Sequence, residues 1–267
     1  MPEAIPVLLY HAVMDDPPAW IAEFTVTPKQ FGDQLDVVVA SGRTPIIVGT
    51  LVDALTGRGG PLPPRPVVLT FDDGFADLPG PTAEALAGRR LPATAYLTTG
   101  AVTPGRSSLL PPAPMMTLSR APLLEQYGLE VGAHTVTHPQ LDTLPPQALR
   151  RELREAKAEL EDVLGHAVAH LAYPHGYNSR AVRRAAQAAG YTSAVAVRHA
   201  LSSERDEAYR IARLIVRRGH TVADVEAWMA GRGGVRVAPF PDALPTVGWR
   251  MYRRARAVAK GGPRFAG

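Results

Sequence analysis

The chain has 267 residues, 46% of them hydrophobic, with 29 Lys and Arg against 25 Asp and Glu and no cysteine. That length and apolar content suit one large α/β domain, and the missing cysteines exclude disulfides and thiolate metal sites, leaving histidine and carboxylate to hold any transition metal. No apolar run approaches the ~18 residues of a membrane span.

In chain order, apolar runs predict strands at 5–10, 44–48, 66–71, 93–98, 129–133, 168–173, 192–197 and 211–216. Between them, helices are expected at 28–41, 50–56, 80–89, 118–127, 146–164, 179–189 and 221–230. The N-terminal MPEAIPVLLYHAV carries Glu3 where a secretory leader would be basic, and its apolar run stops at His11. With Met1 as the natural start, the expectation is a cytoplasmic protein. Residues 101–116, rich in Pro and Gly, read as a loop that could wall a site. Helix 146–164 has the clearest signals: Pro145-Pro146 open it, Leu149, Leu153, Leu160 and Leu164 share roughly one face, and Gly165 closes it.

Regular alternation of this kind argues for a parallel sheet covered by helices, and with seven or eight such units a (β/α) barrel is the economical closure. The barrel is assigned to residues 1–240 and a basic helix or tail to 241–267. Residues 243–267 hold Arg250, Arg253, Arg254, Arg256, Lys260 and Arg264 and no acid, so the basic balance belongs to this tail. It is expected either as a solvated terminal helix or as a contact for an anionic membrane, peripherally bound. No nucleic-acid-binding motif accompanies it.

In such a barrel functional groups gather where strands end, and His11, Asp72, Asp73, His134 and the stretch around Pro174 all fall just past a predicted strand. Asp72 and Asp73 sit side by side after VLTF; two like charges this close disfavour joint ionisation unless a cation adjoins them. His134 and His138, at i and i+4 in HTVTH, are spaced to share one face of a helical turn and grip a metal. Two imidazoles and one carboxylate would leave open positions for water and substrate.

These residues resemble the NodB-type polysaccharide deacetylases, carbohydrate esterase family 4. TFDDG at 70–74 matches the first motif of that family and HTVTH at 134–138 the second, while RRLPATAYLTTG and YGLEVGAHT supply its intervening text. The resemblance runs from about residue 5 to 230 and implies a distorted (β/α) barrel of about seven parallel strands and a metal-dependent deacetylase acting on N-acetylated amino sugars. It implies that Asp73, His134 and His138 hold one divalent metal, zinc or alternatively cobalt or nickel, while Asp72 is the general base for the attacking water. LAYPHG at 171–176 resembles the third motif, nearest to the poly-N-acetylglucosamine branch, but Ala172 stands where many members have an arginine that orients the base. The resemblance further implies an oxyanion contact from the backbone N–H of His175. No late L-x-H motif is present, and His11, in LLYHAV, matches the segment that supplies the general acid in that branch.

His166, His170, His199 and His220 read as structural or surface residues, and Trp228 and Trp249 as packing. Trp20 and Tyr177 are candidates to stack on a sugar. The competing readings are a hydrolase of formamides or cyclic amides, and a catalytically inactive carbohydrate-binding barrel, which Ala172 alone favours.

Overall fold

The structure, a computed structural model, describes residues 3–242 and 244–260. The first predicted strand is divided at Pro6 into β1 (Ala4–Ile5) and β2 (Val7–Tyr10). There follow β3 (Thr44–Ile46), β4 (Pro66–Phe71), β5 (Ala93–Leu97), β6 (Leu129–Ala133), β7 (His170–Ala172) and β8 (Ser193–Val197). A two-residue β9 (Ser202–Ser203), unforeseen in the sequence, pairs antiparallel with β1, and β10 (Ile211–Ile215) completes the set. Strands β2, β10, β8, β7, β6, β5 and β4 run parallel in that order, and β4 pairs back onto β2, closing a seven-stranded barrel. β3 adds to the start of β4.

The helices are α1 (Pro28–Ala40), α2 (Val48–Leu55), α3 (Ala83–Gly88), α4 (Ala121–Gln126), α5 (Pro146–Leu164), α6 (Arg180–Ala188), α7 (Val222–Met229) and α8 (Leu244–Lys260). α3 begins three residues later than its sequence pattern suggests, because the preceding turn at 78–82 holds Pro79 and Gly80 in non-helical backbone. α5 matches its predicted bounds and stops at Gly165, which takes the left-handed φ of 77° that glycine adopts without strain.

Strand parity divides the core. Val67, Leu69 and Phe71 of β4 join Leu129, Val131 and Ala133 of β6 in the cluster beneath the helices. The alternate residues Val68, Tyr96, Ala172, Val195 and Ile211 form a separate cluster inside the barrel, which Val48, Leu51 and Val52 of α2 plug from below. At Gly132 any side chain would meet the Tyr96 ring within 2.6 Å, so this glycine makes room for that inward ring. A polar layer floors the barrel: Glu130 accepts from Thr94 Oγ1 at 2.8 Å and lies 3.3 Å from His170 Nε2, whose ring contacts Ser193 Oγ at 2.8 Å. His170 is thereby a structural residue, as expected.

Helix α8 is docked on the barrel face. Arg253 forms a two-pronged pair with Asp142 at 2.9 and 3.0 Å, donates to Gln140 and lies 3.4 Å from the Tyr177 ring centroid. The side chains of Asp142 and Arg253 are 0% and 6% exposed. Arg253→Met leaves a buried carboxylate with only the more distant Arg254, and should cost about 3 kcal/mol in urea unfolding. Adding Asp142→Asn should recover much of that loss; a single variant within 1 kcal/mol of wild type would show that α8 docks without this pair.

Candidate active site

The parity that points Val68 inward also points Thr70 and Asp72 inward at the upper end of β4, just as Ile211 and Arg213 face inward from β10. Arg213, fully buried, meets Asp72 with both prongs, Nη1 to Oδ1 at 2.7 Å and Nη2 to Oδ2 at 2.8 Å, and Nη1 also donates to Thr70 Oγ1 at 3.2 Å. Burial alone would raise the Asp72 pKa, but Arg213, with lesser help from His134, outweighs it and holds the carboxyl below its ordinary value. Arg213 thus holds Asp72 although position 172, where the resemblance expects an arginine, is Ala172, which is small and inward-facing and leaves the barrel centre free.

Asp73 behaves oppositely. After Phe71 the strand ends, and Asp73 adopts φ 73°, so its side chain swings to the same face as Asp72 instead of alternating. Gly74 follows at φ 92°, where a Cβ would press Val102 at 2.8 Å. Burial, and then the Asp72 charge, push the Asp73 pKa well above normal. Its Oδ1 is buried without a hydrogen-bond partner, 3.5 Å from His134 Nε2 and 3.4 Å from His138 Nε2.

His134 continues the inward series of β6 and lies 2.9 Å from the Ala172 carbonyl through Nδ1, which assigns the proton to Nδ1 and leaves the Nε2 lone pair facing Asp73. The HTVTH segment is not the helical turn its spacing suggested. It is a loop in which Thr135 and His138 take φ 68° and 62°, closed by His138 N–H donating to Thr135 Oγ1 at 3.1 Å. Glu152 of α5, buried, holds it from behind, accepting from the amides of Val136 and Thr137 and from Thr137 Oγ1 at 2.7–2.9 Å. Burial lowers the pKa of both ring systems, and His134 and His175 lower that of His138 further, so both imidazoles are neutral.

Two neutral imidazoles and an unpartnered carboxylate, with ligand atoms within 4.8 Å of one another, face a common point. This donor set fits one divalent cation, which would supply the positive charge that Asp73 lacks. Around it lies a cleft of about 820 Å³. His11, at the end of β2, packs its ring 5.5 Å from Phe24; burial lowers its pKa to about 4. The turn Pro174–Gly176 places His175, at φ 58°, against His138 with ring centroids 4.7 Å apart. Gly176 packs on the end of β8, where a Cβ would lie 2.5 Å from Val197 N. Four of the residues outside glycine with positive φ, Asp73, Thr135, His138 and His175, cluster here, as strained backbone does at functional sites.

A profile described as polysaccharide deacetylase matches residues 59–194. The chain belongs to this family. It is 22% identical over 218 residues to YxkH of Bacillus subtilis (strain 168), which bears a polysaccharide deacetylase name; the match covers 82% of this chain and 73% of that one. Its fold is similar to that of the Streptococcus pyogenes deacetylase PplD, solved with acetate, at TM-score 0.74 and 24% identity over 84% of this chain and 97% of that one. IcaB from Ammonifex degensii is similar at TM-score 0.73 and 22% identity, covering 85% and 97%. Membership makes a hydrolytic deacetylase the coarse assignment, and the NodB-type barrel agrees with the strand count.

The 101–116 segment walls the cleft through Leu110, and its Pro112 carbonyl accepts from Trp20 Nε1 at 3.2 Å. Tyr177 is less open to a sugar than expected, since Arg253 covers its ring and Trp249 Nε1 donates to its hydroxyl at 3.3 Å. Trp228 is buried packing, but Trp249 is half-exposed and stacks on Tyr252. His166 pairs with Glu125 at the surface, while His199 and His220 stack beside Trp228, and Thr221 caps α7.

Sequence reading missed Arg213 and Glu152. The signal for the first was present: an arginine inside IARLIV can only be buried with a partner. Arg213→Ala should let Asp72 take up a proton and abolish most activity; Ala172→Arg in that background should restore part of it, and no recovery in a folded double variant would count against the substitution of one arginine for the other. His11 should remain neutral from pH 8 down to pH 5, protonating only near pH 4 because burial disfavours the cation; a midpoint near 6.5 in imidazole NMR would contradict this.

Proposed function

We propose that this protein is a metal-dependent amidohydrolase that removes the N-acetyl group of an amino sugar as acetate and frees the amine. The observation that carries this reading is the division of two adjacent carboxylates: Asp73 unpartnered beside His134 and His138, and Asp72 held ionised by Arg213. Asp73, His134 and His138 would hold the ion, for which zinc suits the two-imidazole, one-carboxylate set. When bound, it supplies Lewis acidity, polarising the acyl oxygen and acidifying water.

Asp72 accepts the proton of the attacking water, and the Arg213 fork fixes its orientation and keeps it charged until then. The backbone N–H of His175 donates to the oxyanion that develops on the acyl carbon. His11 starts neutral, so the proton it delivers to the departing nitrogen must reach it within the cycle; the Asp72 charge already favours its cationic form. Collapse then releases acetate.

Protein purified without chelator should contain about one equivalent of zinc per chain, and His134→Ala should lose it. Dipicolinate treatment should abolish acetate release and added zinc, cobalt or nickel restore it. Asp72→Asn should retain metal while kcat falls about 10²- to 10⁴-fold. Metal-free protein that takes up none of these ions would end the hydrolytic reading, and formate release without acetate would redirect it to formamides.

The proposed peripheral contact with a membrane rests on a different feature from the tail's charge. Arg250, Arg253 and Arg254 are committed to Asp242 and Asp142, while Arg264 lies outside the described residues. The outer face of α8 instead exposes Val247, Trp249, Met251 and Tyr252 beside Arg256, a composition that suits the interfacial region of a bilayer. Met251→Asp with Tyr252→Asp should abolish co-sedimentation with phosphatidylglycerol vesicles; unchanged binding would refute it.

A further inference from the structure

The cleft has a second pole of opposite character from the metal-ligand trio. Arg198 follows directly after β8, one residue beyond the Val197 backbone on which Gly176 packs, so it begins beside the turn that carries His175. Arg198, Arg210, Arg236 and Arg250 all line this end of the cleft. Three of them share a single carboxylate: Asp242 pairs with Arg210, lies 3.0 Å from Arg250 Nη2 and 3.6 Å from Arg198 Nη2. Arg236 has no ion pair among the described residues; it rests 3.8 Å from the Phe240 ring centroid, and Arg198 lies 4.0 Å from the same centroid. Both guanidinium planes are therefore fixed by stacking; Arg198 Nη2 donates to the Phe240 carbonyl, which leaves Arg198 Nη1 and the N–H edge of Arg236 for a ligand.

The charge does not balance. Asp242 serves three guanidiniums, Glu207 adds a second carboxylate 3.7 Å from Arg210 Nη1, and Arg236 has none; the Arg198 side chain is nevertheless only 7% exposed and its Nη1 is buried with no hydrogen-bond partner. Arg250 Nε is likewise buried and unpartnered. A guanidinium sequestered from water, as that of Arg198 is, is costly unless an anion joins it. Burial and then Arg210 lower the Arg198 pKa, and the opposing pull of Asp242, Asp206 and Glu207 does not restore it. A ligand carboxylate would bring two acceptor oxygens and one charge, whereas a phosphoryl group brings more acceptor oxygens and up to two charges.

We propose that the acetamido sugar handled by this site carries a phosphoryl group, and that Arg198, Arg210, Arg236 and Arg250 bind it while the acetamide faces Asp73, His134 and His138. The inference rests on the deacetylase reading for its sugar and adds the substrate class. Phosphoryl groups of this kind occur in free sugar phosphates, in nucleoside diphosphate sugars and in polyprenyl phosphate sugars; the Arg cluster recognises the chemistry they share.

The test compares acetate release from N-acetylglucosamine 1-phosphate, a nucleoside diphosphate N-acetylglucosamine, a short-chain polyprenyl diphosphate N-acetylglucosamine and the neutral methyl glycoside. At least one phosphorylated substrate should exceed the neutral one tenfold or more in kcat/KM, and that ratio should fall at least tenfold in Arg236→Gln. Which of the three leads identifies the source. Inorganic pyrophosphate binding, followed by calorimetry, should weaken by a similar factor in Arg236→Gln, a surface change that spares the fold. Equal kcat/KM for the neutral glycoside, or pyrophosphate binding unaffected by the substitution, overturns the proposal and leaves the deacetylase reading intact. Pyrophosphate binding that depends on Arg236, with no acetate released from any sugar, overturns the deacetylase reading while supporting the anion site.

Discussion

At the centre of the barrel a fully buried guanidinium grips a buried carboxylate, and the chemistry of the site depends on that contact. Without Arg213, Asp72 and Asp73 would be two adjacent acids of like environment in a desolvated cleft, and their mutual repulsion would protonate one of them indiscriminately. With it, the symmetry is broken: Asp72 is held charged through two short hydrogen bonds, and Asp73 is left with a raised pKa and an unsatisfied oxygen. A cation then has one preferred carboxylate, and the other stays free to move a proton.

The barrel supports this division by parity. Each strand offers every second residue to the interior, so the inward positions form layers: a polar floor around Glu130 and His170, an apolar middle around Tyr96 and Val195, and a charged top. The apolar middle separates the floor from the site and shields the Arg213 pair from below, which strengthens it. Glu152, from outside the barrel, performs the matching service for the second motif, tying down a loop that has no regular hydrogen bonding of its own.

Much of this could be read from residue order. Strand positions followed from apolar runs, and Asp72, Asp73, His134 and His138 stood out because a carboxylate pair and a histidine pair both fall after strand ends and match two motifs of one family in the right order. The spacing of HTVTH misled about local backbone, since a helical turn and a tight loop with two left-handed residues can bring the same two rings together. Trp249 was read as packing in a terminal helix, but α8 buries Arg253 instead and leaves Trp249 half-exposed.

Local sequence, then, determined what each strand end carries, because side-chain chemistry and the two-residue strand repeat are properties of short segments. What only the tertiary structure decided is which distant groups meet. Arg213 lies 141 positions from Asp72, and Asp142 and Asp242 draw α8 and the arginine cluster around the cleft from segments that carry no motif. Those pairings arise from closure of the barrel, which sets strands side by side irrespective of their separation along the chain.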